Sequence, residues 1–358
     1  MAIFCVLLFI PIVVQHFVVK GFSLSYKERN KIALFSFFFI LTLMIMLRHK
    51  SVGNDTVNYI YFFKDYSMVS WDSIGKLGIE FGYGLFNKLI SVFTQNPQVF
   101  LAIIAVVVSM TIYPTYKRLC VDSSLTIVLF CTMSTFVMMF SGIRQMLAIG
   151  IGFVAYKFTH EKKVIPFLIA VMVAMSFHIS AFMLLFMYPM YHAKITKKWL
   201  FIVVPFLGII FVFNKPIFGI LSIILERYTE YNTSIEPTGA YTMLILFVMF
   251  AIFAFIIPDE KKLDSEVIGL RNFLLLSVAL QMFAPLHSLA MRMNYYYIIF
   301  IPLLIPKIIE ARNDKWKQLA IMGRHVMVVF FLVYFFISIR GDGNLNVFPY
   351  HFFWETVL

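Results

Sequence analysis

The chain has 358 residues, of which 61% are hydrophobic and 13% charged, against about 45–50% and about 25% in an ordinary soluble domain. A soluble fold cannot hide that much apolar surface, because surface-to-volume scaling leaves too much of it wet. A soluble enzyme, a nucleic-acid-binding domain and a disordered chain are excluded, and the net charge of +12 becomes a question of which membrane side carries it.

The N-terminus runs apolar from Met1 to Val14, with no charged leader and no small-residue cleavage site, so it reads as a first span. A membrane helix needs about 20 apolar residues. Apolar runs between polar breaks predict about twelve spans, near 1–19, 32–47, 98–116, 124–140, 145–159, 164–177, 179–192, 199–214, 241–257, 272–286, 293–309 and 325–339. In lipid the backbone must satisfy its own hydrogen bonds, and the runs do not alternate with period two, so helices are expected rather than strands. No repeat or low-complexity linker interrupts them. The expectation is an all-α polytopic protein with a single membrane domain over 1–358. Cys5, Cys120 and Cys131 lie in or beside apolar segments without CxxC spacing, and read as small buried hydrophobes.

One segment is ambiguous. Phe81 to Thr94 is apolar apart from Asn87 and Lys88. If it does not cross, 20 of the 30 Lys and Arg residues fall on one side of the membrane. If it crosses, that bias largely cancels. Basic residues accumulate in cytoplasmic loops, so the reading places both termini outside and makes 81–94 a non-crossing or re-entrant helix. Two long outer segments follow, 48–97 and 215–240, both expected to carry interfacial helices.

Charges at membrane edges are costly and ask for a reason. Four arginines fall at outer span ends: Arg48, Arg144 in SGIRQM, Arg292 in HSLAMRMNYYY, and Arg340. A guanidinium stays charged and matches phosphate oxygens with its planar fork. The alternative for any one of them is snorkelling to the interface, the plainer account for Arg340 but not for Arg144, where SGIRQ leaves little loop to carry the side chain away. Asp55 in VGNDTVNY and Glu80 in GIEFGYGLFNKL are carboxylates that could act as bases, or simply form salt bridges or helix caps. His178 in MSFHISAFML could move protons near neutrality, or be a packing histidine. His287 is a weaker case of the same kind, and Tyr295 to Tyr297 fit an aromatic belt. No DxD pair and no HExxH occurs, so no metal site is expected.

Arg48 with VGNDTVNYIYFF, then IEFGYGLFNKLISVFTQNPQVFL, SGIRQMLAIGIGFVAYKF and SFHISAFMLL form an ordered set of segments. In order and spacing this set resembles the EpsG/Wzy-type family of bacterial membrane polysaccharide polymerases. The resemblance extends to about residue 310, and the segment after Arg340 carries no matching motif. It implies a GT-C-like membrane glycosyltransferase in the bacterial cytoplasmic membrane, with its active site facing outside. Such proteins join oligosaccharide repeat units carried on undecaprenyl diphosphate, for O-antigen, capsule or exopolysaccharide, without metal or other cofactor. The implied partners are the lipid-linked oligosaccharide, membrane lipid and a chain-length regulator protein as a further candidate, with no nucleic acid.

Carried over by position, Arg48, Asp55, Glu80, Arg144 and His178 make the functional set, and topology adds Arg292. Arg48, Arg144 and Arg292 would bind the diphosphate and stabilise it as it leaves. His178, Glu80 and Asp55 are the candidate bases, His178 being favoured because its ordinary pKa lies nearest neutrality. Three other readings stay open. A lipid-linked saccharide flippase or transporter would place charges along a mid-membrane path, in related halves. A membrane acyltransferase would use His178 as base, with a donor reachable from the cytoplasm. A glycan ligase shares the lipid-diphosphate chemistry.

Overall fold

The computed structural model describes residues 1–16, 24–224 and 238–357. Among these the architecture is helical, with isolated bridges and no strand. The chain gathers into two compact units, Met1–Leu185 with Met322–Leu358, and Phe186–Ile321. Among the described residues, three helices are long and apolar enough to cross a membrane, Tyr26–Leu47, Pro97–Leu119 and Asp314–Ser338, or up to five spans if each of two bent helix pairs counts as one. The twelve expected runs fall on helix over most of their described length, but several of these helices are shorter than a crossing. The protein is a membrane protein built of helices.

The first unit contains α1 (Ala2–His16), α2 (Tyr26–Leu47), α3 (Thr56–Met68), α4 (Phe81–Phe93), α5 (Pro97–Leu119), α6 (Ser123–Thr132), α7 (Ser134–Ser141), α8 (Ile143–His160) and α9 (Val164–Phe177). Ser25 and Glu28 start α2 with a reciprocal capping box. Asn96 caps α5 and Pro97 takes its first position, where a missing N–H costs nothing. Phe37 and Phe38 of α2 meet Phe130 of α6 at ring distances of 5.5 and 5.9 Å, and Phe38 meets Tyr116 of α5 at 5.5 Å. α6 and α7 are one broken element bent by 64°. At the break the Thr132 hydroxyl donates to the Val128 and Leu129 carbonyls, a side-chain bond that competes with the helix ladder.

The unit has two polar ends. At one, Asn30 receives Gln15 Nε2 at 2.8 Å and Ser123 N at 2.8 Å, and Arg324 pairs with Asp122. At the other, Gln98 Nε2 donates to the Met46 carbonyl at 2.5 Å and to the Arg48 carbonyl at 3.3 Å. The start of α5 therefore sits beside the end of α2. Segment 48–97 thus leaves and returns at the same end of this unit. The 13 residues of α4 span about 20 Å at 1.5 Å each, short of the roughly 30 Å hydrocarbon core.

The second unit holds α10 (Met187–His192), α11 (Leu200–Val212), α12 (Asn214–Ile224), α13 (Thr238–Ile256), α14 (Ser265–Gln281), α15 (Ser288–Ile298) and α16 (Ile301–Glu310). The expected outer segment at 215–240 begins as α12, and its residues 225–237 lie outside the described residues. Arg271 of α14 is fully buried, meets Glu260 at 2.7 and 3.2 Å, and lies 4.1 Å from the Phe255 ring. Asn294 of α15 donates to the Ser277 carbonyl at 2.9 Å and to Gln281 at 3.2 Å. An apolar groove of about 670 Å³ runs along α11, α13 and α14, past Leu207, Phe211, Leu244, Val248 and Val278.

The last helix, α17 (Lys317–Ser338), brings Phe335 to within 6.0 Å of Phe4 and 5.6 Å of Phe136. The chain then folds onto the residues that follow α2. His49 N donates to the His351 carbonyl at 2.8 Å, Gly53 N to Asn346 at 3.0 Å, Asn54 N to Leu345 at 2.9 Å, and Phe353 N to Leu47 at 2.9 Å. This C-terminal strap has no counterpart among the sequence motifs.

Candidate active site

Glu80 stands at the N-cap of α4 but does not cap its own helix. Its carboxylate reaches across to α8 and to the end of α9. Oε2 lies 2.6 Å from Arg144 Nη1, and Oε1 accepts from Ile179 N and from His178 Nδ1, both at 3.2 Å. Local structure explains each partner. α9 ends at Phe177, and His178 is extended, with φ −157° and ψ 122°. The 3-10 turn Ile179–Phe186 follows, and the first N–H groups of a helix lack internal acceptors. Ile179 spends one of these on Glu80.

Gly82 lets α4 approach α9 closely, since a Cβ there would overlap the Ser176 hydroxyl. Arg144 lies in the first turn of α8. A cation there opposes the helix dipole, which costs about 0.3–1 kcal/mol. Its place is therefore explained by the carboxylate it meets and not by helix stability.

The side chains of Glu80, His178 and Arg144 are 14%, 19% and 26% exposed, so solvent reaches all three. Burial alone would raise the Glu80 pKa. The hydrogen bond to His178 and the Arg144 charge more than offset it, and hold the carboxyl at about 2. Glu80 is thus ionised near neutrality and is a poor proton acceptor there. An ionised carboxylate only accepts hydrogen bonds, so the His178 Nδ1 facing it carries a proton. The other ring nitrogen, Nε2, points away from this carboxylate contact.

A wall of tyrosines backs this group. Tyr59, Phe63 and Tyr66 follow helical spacing along one face of α3, and all three are buried. The Tyr59 hydroxyl is a further hydrogen-bond partner of Arg144, and the Tyr59 ring meets Tyr83 of α4 at 5.9 Å. Tyr66 packs where a Cβ on Gly84 would otherwise stand.

Asp55 precedes α3 without capping it. It is tied instead to the end of α7: the Ser141 hydroxyl donates to Oδ2 at 3.3 Å, and Asp55 N donates to that hydroxyl at 3.3 Å. Gly53, at φ +92°, makes this possible, because a Cβ there would strike the Phe140 carbonyl. Thr56 completes the join by donating to the same carbonyl at 3.2 Å.

Of the six residues expected from the sequence, Glu80, Arg144 and His178 form one hydrogen-bonded group. Asp55 is joined to Ser141, three residues before Arg144. Arg48 lies apart from that group. It is wholly buried, and Nη1 donates to the Ile45 carbonyl at 2.8 Å. Burial lowers its pKa to about 10, which leaves it charged. Its backbone pairs with Phe352 of the strap. Arg292 belongs to the second unit, on α15.

Tyr59, Tyr66, Tyr83 and Ser141 were not singled out by sequence. The i, i+4, i+7 spacing of Tyr59, Phe63 and Tyr66 was the available signal, but it reads equally well as an interfacial helix.

The family model described as "EpsG family" matches residues 31–352. No curated protein and no solved structure matches the chain. The matched stretch runs from α2 to the C-terminal strap and includes every residue of the site, and the chain therefore belongs to the EpsG family.

Proposed function

We propose that this protein is a polysaccharide polymerase that joins undecaprenyl-diphosphate-linked oligosaccharide repeat units at the outer face of the cytoplasmic membrane. Membership of the EpsG family supports a polysaccharide-polymerase role in general. The observation that carries the chemistry is the Glu80 carboxylate bridging Arg144 and His178. It fixes a permanent cation and an oriented imidazole in one partly open site, which is what glycosyl transfer from a diphosphate requires.

In this reading the hydroxyl of the acceptor unit attacks the anomeric carbon of the donor. Its proton passes to His178 Nε2. The bond from the anomeric carbon to the diphosphate oxygen breaks, and the electron pair leaves with the lipid diphosphate. Arg144 stabilises that developing charge, and a fixed donor does so without reorganisation cost. Glu80 keeps His178 in the productive tautomer and supports the imidazolium once formed. In this reading Glu80, whose pKa is held low, is a weak proton acceptor and acts by orienting His178.

Arg48, wholly buried and bridged through its backbone to Phe352, is given no contact with the substrate in this reading. Asp55 positions the loop before Arg144. The polar end bearing Asn30, Asp122 and Arg324 lies in the cytoplasm, following the basic-residue rule, and apolar surfaces hold the polyprenyl tail.

The test is the lipid-linked saccharide pool of a null strain carrying Arg144→Ala or His178→Ala. Single repeat units should accumulate on the outer leaflet and polymer should vanish. Units trapped on the inner leaflet would point to a flippase, and long unattached chains to a ligase.

A further inference from the structure

Burying a phenol without a partner forfeits the hydration of its hydroxyl, so a buried tyrosine normally finds an acceptor. Tyr66 does not. Its side chain is wholly buried, and its hydroxyl is out of solvent and without a hydrogen bond. Phenylalanine would fill the same space without that cost. The hydroxyl lies within electrostatic range of both Arg144 and Glu80, the charged pair of the site. Its ring is seated by Gly84, one turn beyond Glu80, where any Cβ would overlap it.

Arg144 shows the same surplus. Nη1 is spent on Glu80, yet Nε is buried and unbonded. The guanidinium thus keeps an unused donor of its own, with the unused Tyr66 hydroxyl in its electrostatic range. The Tyr83 hydroxyl is also unbonded, but Asn87 lies beside it as a local acceptor with its own unbonded oxygen. For Tyr66 the groups within electrostatic range include the Arg144–Glu80 pair itself.

Unused donors around a guanidinium suit an anionic oxygen, because a hydrogen bond to a charged acceptor is roughly twice as strong as a neutral one. We infer that the Tyr66 hydroxyl is a binding donor for the diphosphate of the lipid-linked substrate, acting beside Arg144. This inference rests on the polymerase reading and adds a residue to it. Solvent reaches Arg144 and Glu80 but not Tyr66. The diphosphate therefore meets the ion pair first and the phenol as it settles.

The test uses the full-length protein in lipid nanodiscs, with undecaprenyl diphosphate as the probe. Affinity is measured for the unsubstituted protein, Tyr66→Phe and Arg144→Ala, together with the melting temperature of each without ligand. The expected result is binding by the unsubstituted protein and loss of binding in Arg144→Ala. Tyr66→Phe should bind about tenfold more weakly, with an unchanged or higher melting temperature in the absence of ligand. Unchanged affinity in Tyr66→Phe, with Arg144→Ala still unable to bind, overturns the inference and leaves the polymerase reading standing. A lower ligand-free melting temperature in Tyr66→Phe also overturns it, since the hydroxyl would then serve the fold. If the unsubstituted protein does not bind the probe, or Arg144→Ala binds it equally well, both the reading and the inference fail.

Discussion

Glu80 Oε2 lies 2.6 Å from Arg144 Nη1, across 64 residues of chain, while its other oxygen lies 3.2 Å from His178 Nδ1. A single carboxylate at the start of a short helix thus holds a cation from α8 and an imidazole from the end of α9. Arg144→Ala should abolish polymer, with a loss of at least about 10²-fold, the scale set by deleting one preorganised electrostatic donor. Arg144→Lys should restore little, because a point charge cannot reproduce the guanidinium fork. An immunoblot of the membrane fraction checks that both variants are inserted, and polymer length on a gel reads the activity.

His178 and Glu80 should behave as one unit. His178→Ala should cost about 10²–10⁴-fold, as the loss of a general base does. Glu80→Gln keeps the shape but removes the charge that orients the ring, and should cost less. The double variant should be no worse than His178→Ala alone, since groups acting together are not additive. Additive losses in transfer rate would show that the two residues act separately.

The ionised state of Glu80 also gives a pH signature. Its carboxyl is held at about 2 in the folded protein, below the ordinary 4.5. The unfolded chain therefore binds more protons between these values, and stability rises with pH across that window. The contribution is complete above pH 4.5 and is lost as pH falls towards 2. The solubilised protein should show this acid loss in its melting temperature, and Glu80→Gln should lack it.

Close helix approach is a separate test of the site's frame. Gly82→Ala should push α4 away from Ser176 and move Glu80 off His178, lowering activity while the protein still inserts. Adding Ser176→Gly removes the overlapping hydroxyl and should recover part of that activity. Recovery will be incomplete, because the Ser176 carbonyl is also near the new Cβ.

Removing residues 345–358 should strip the acceptors from His49, Gly53 and Asn54, and the bridge partner Phe352 from Arg48. It also removes the Tyr350 hydroxyl, which donates to the Met44 carbonyl at 2.8 Å. The melting temperature should fall by several degrees, as roughly 1 kcal/mol per lost hydrogen bond implies. Tyr350→Phe alone should fall much less.

Composition by itself determined the solvent of this protein, because no soluble fold can bury a chain that is 61% hydrophobic. Lipid in turn demands helices, since backbone groups there bond only to one another. Sequence also singled out Arg144, Glu80 and His178, because a charge or a titratable ring beside lipid is expensive enough to stand out. These inferences are local: each rests on a run of neighbours or on one costly residue.

The meeting of those three residues was not local. Glu80 and His178 are 98 positions apart, and their contact depends on Gly82 seating α4 against α9. Gln98 reaching Met46 brought the start of α5 beside the end of α2, 52 positions earlier. Tertiary structure alone enclosed Arg48 under a strap that carries no motif, and left the Tyr66 hydroxyl buried without a partner. Burial and hydrogen-bond satisfaction are properties of packed surfaces, and a linear chain does not reveal which surfaces will meet.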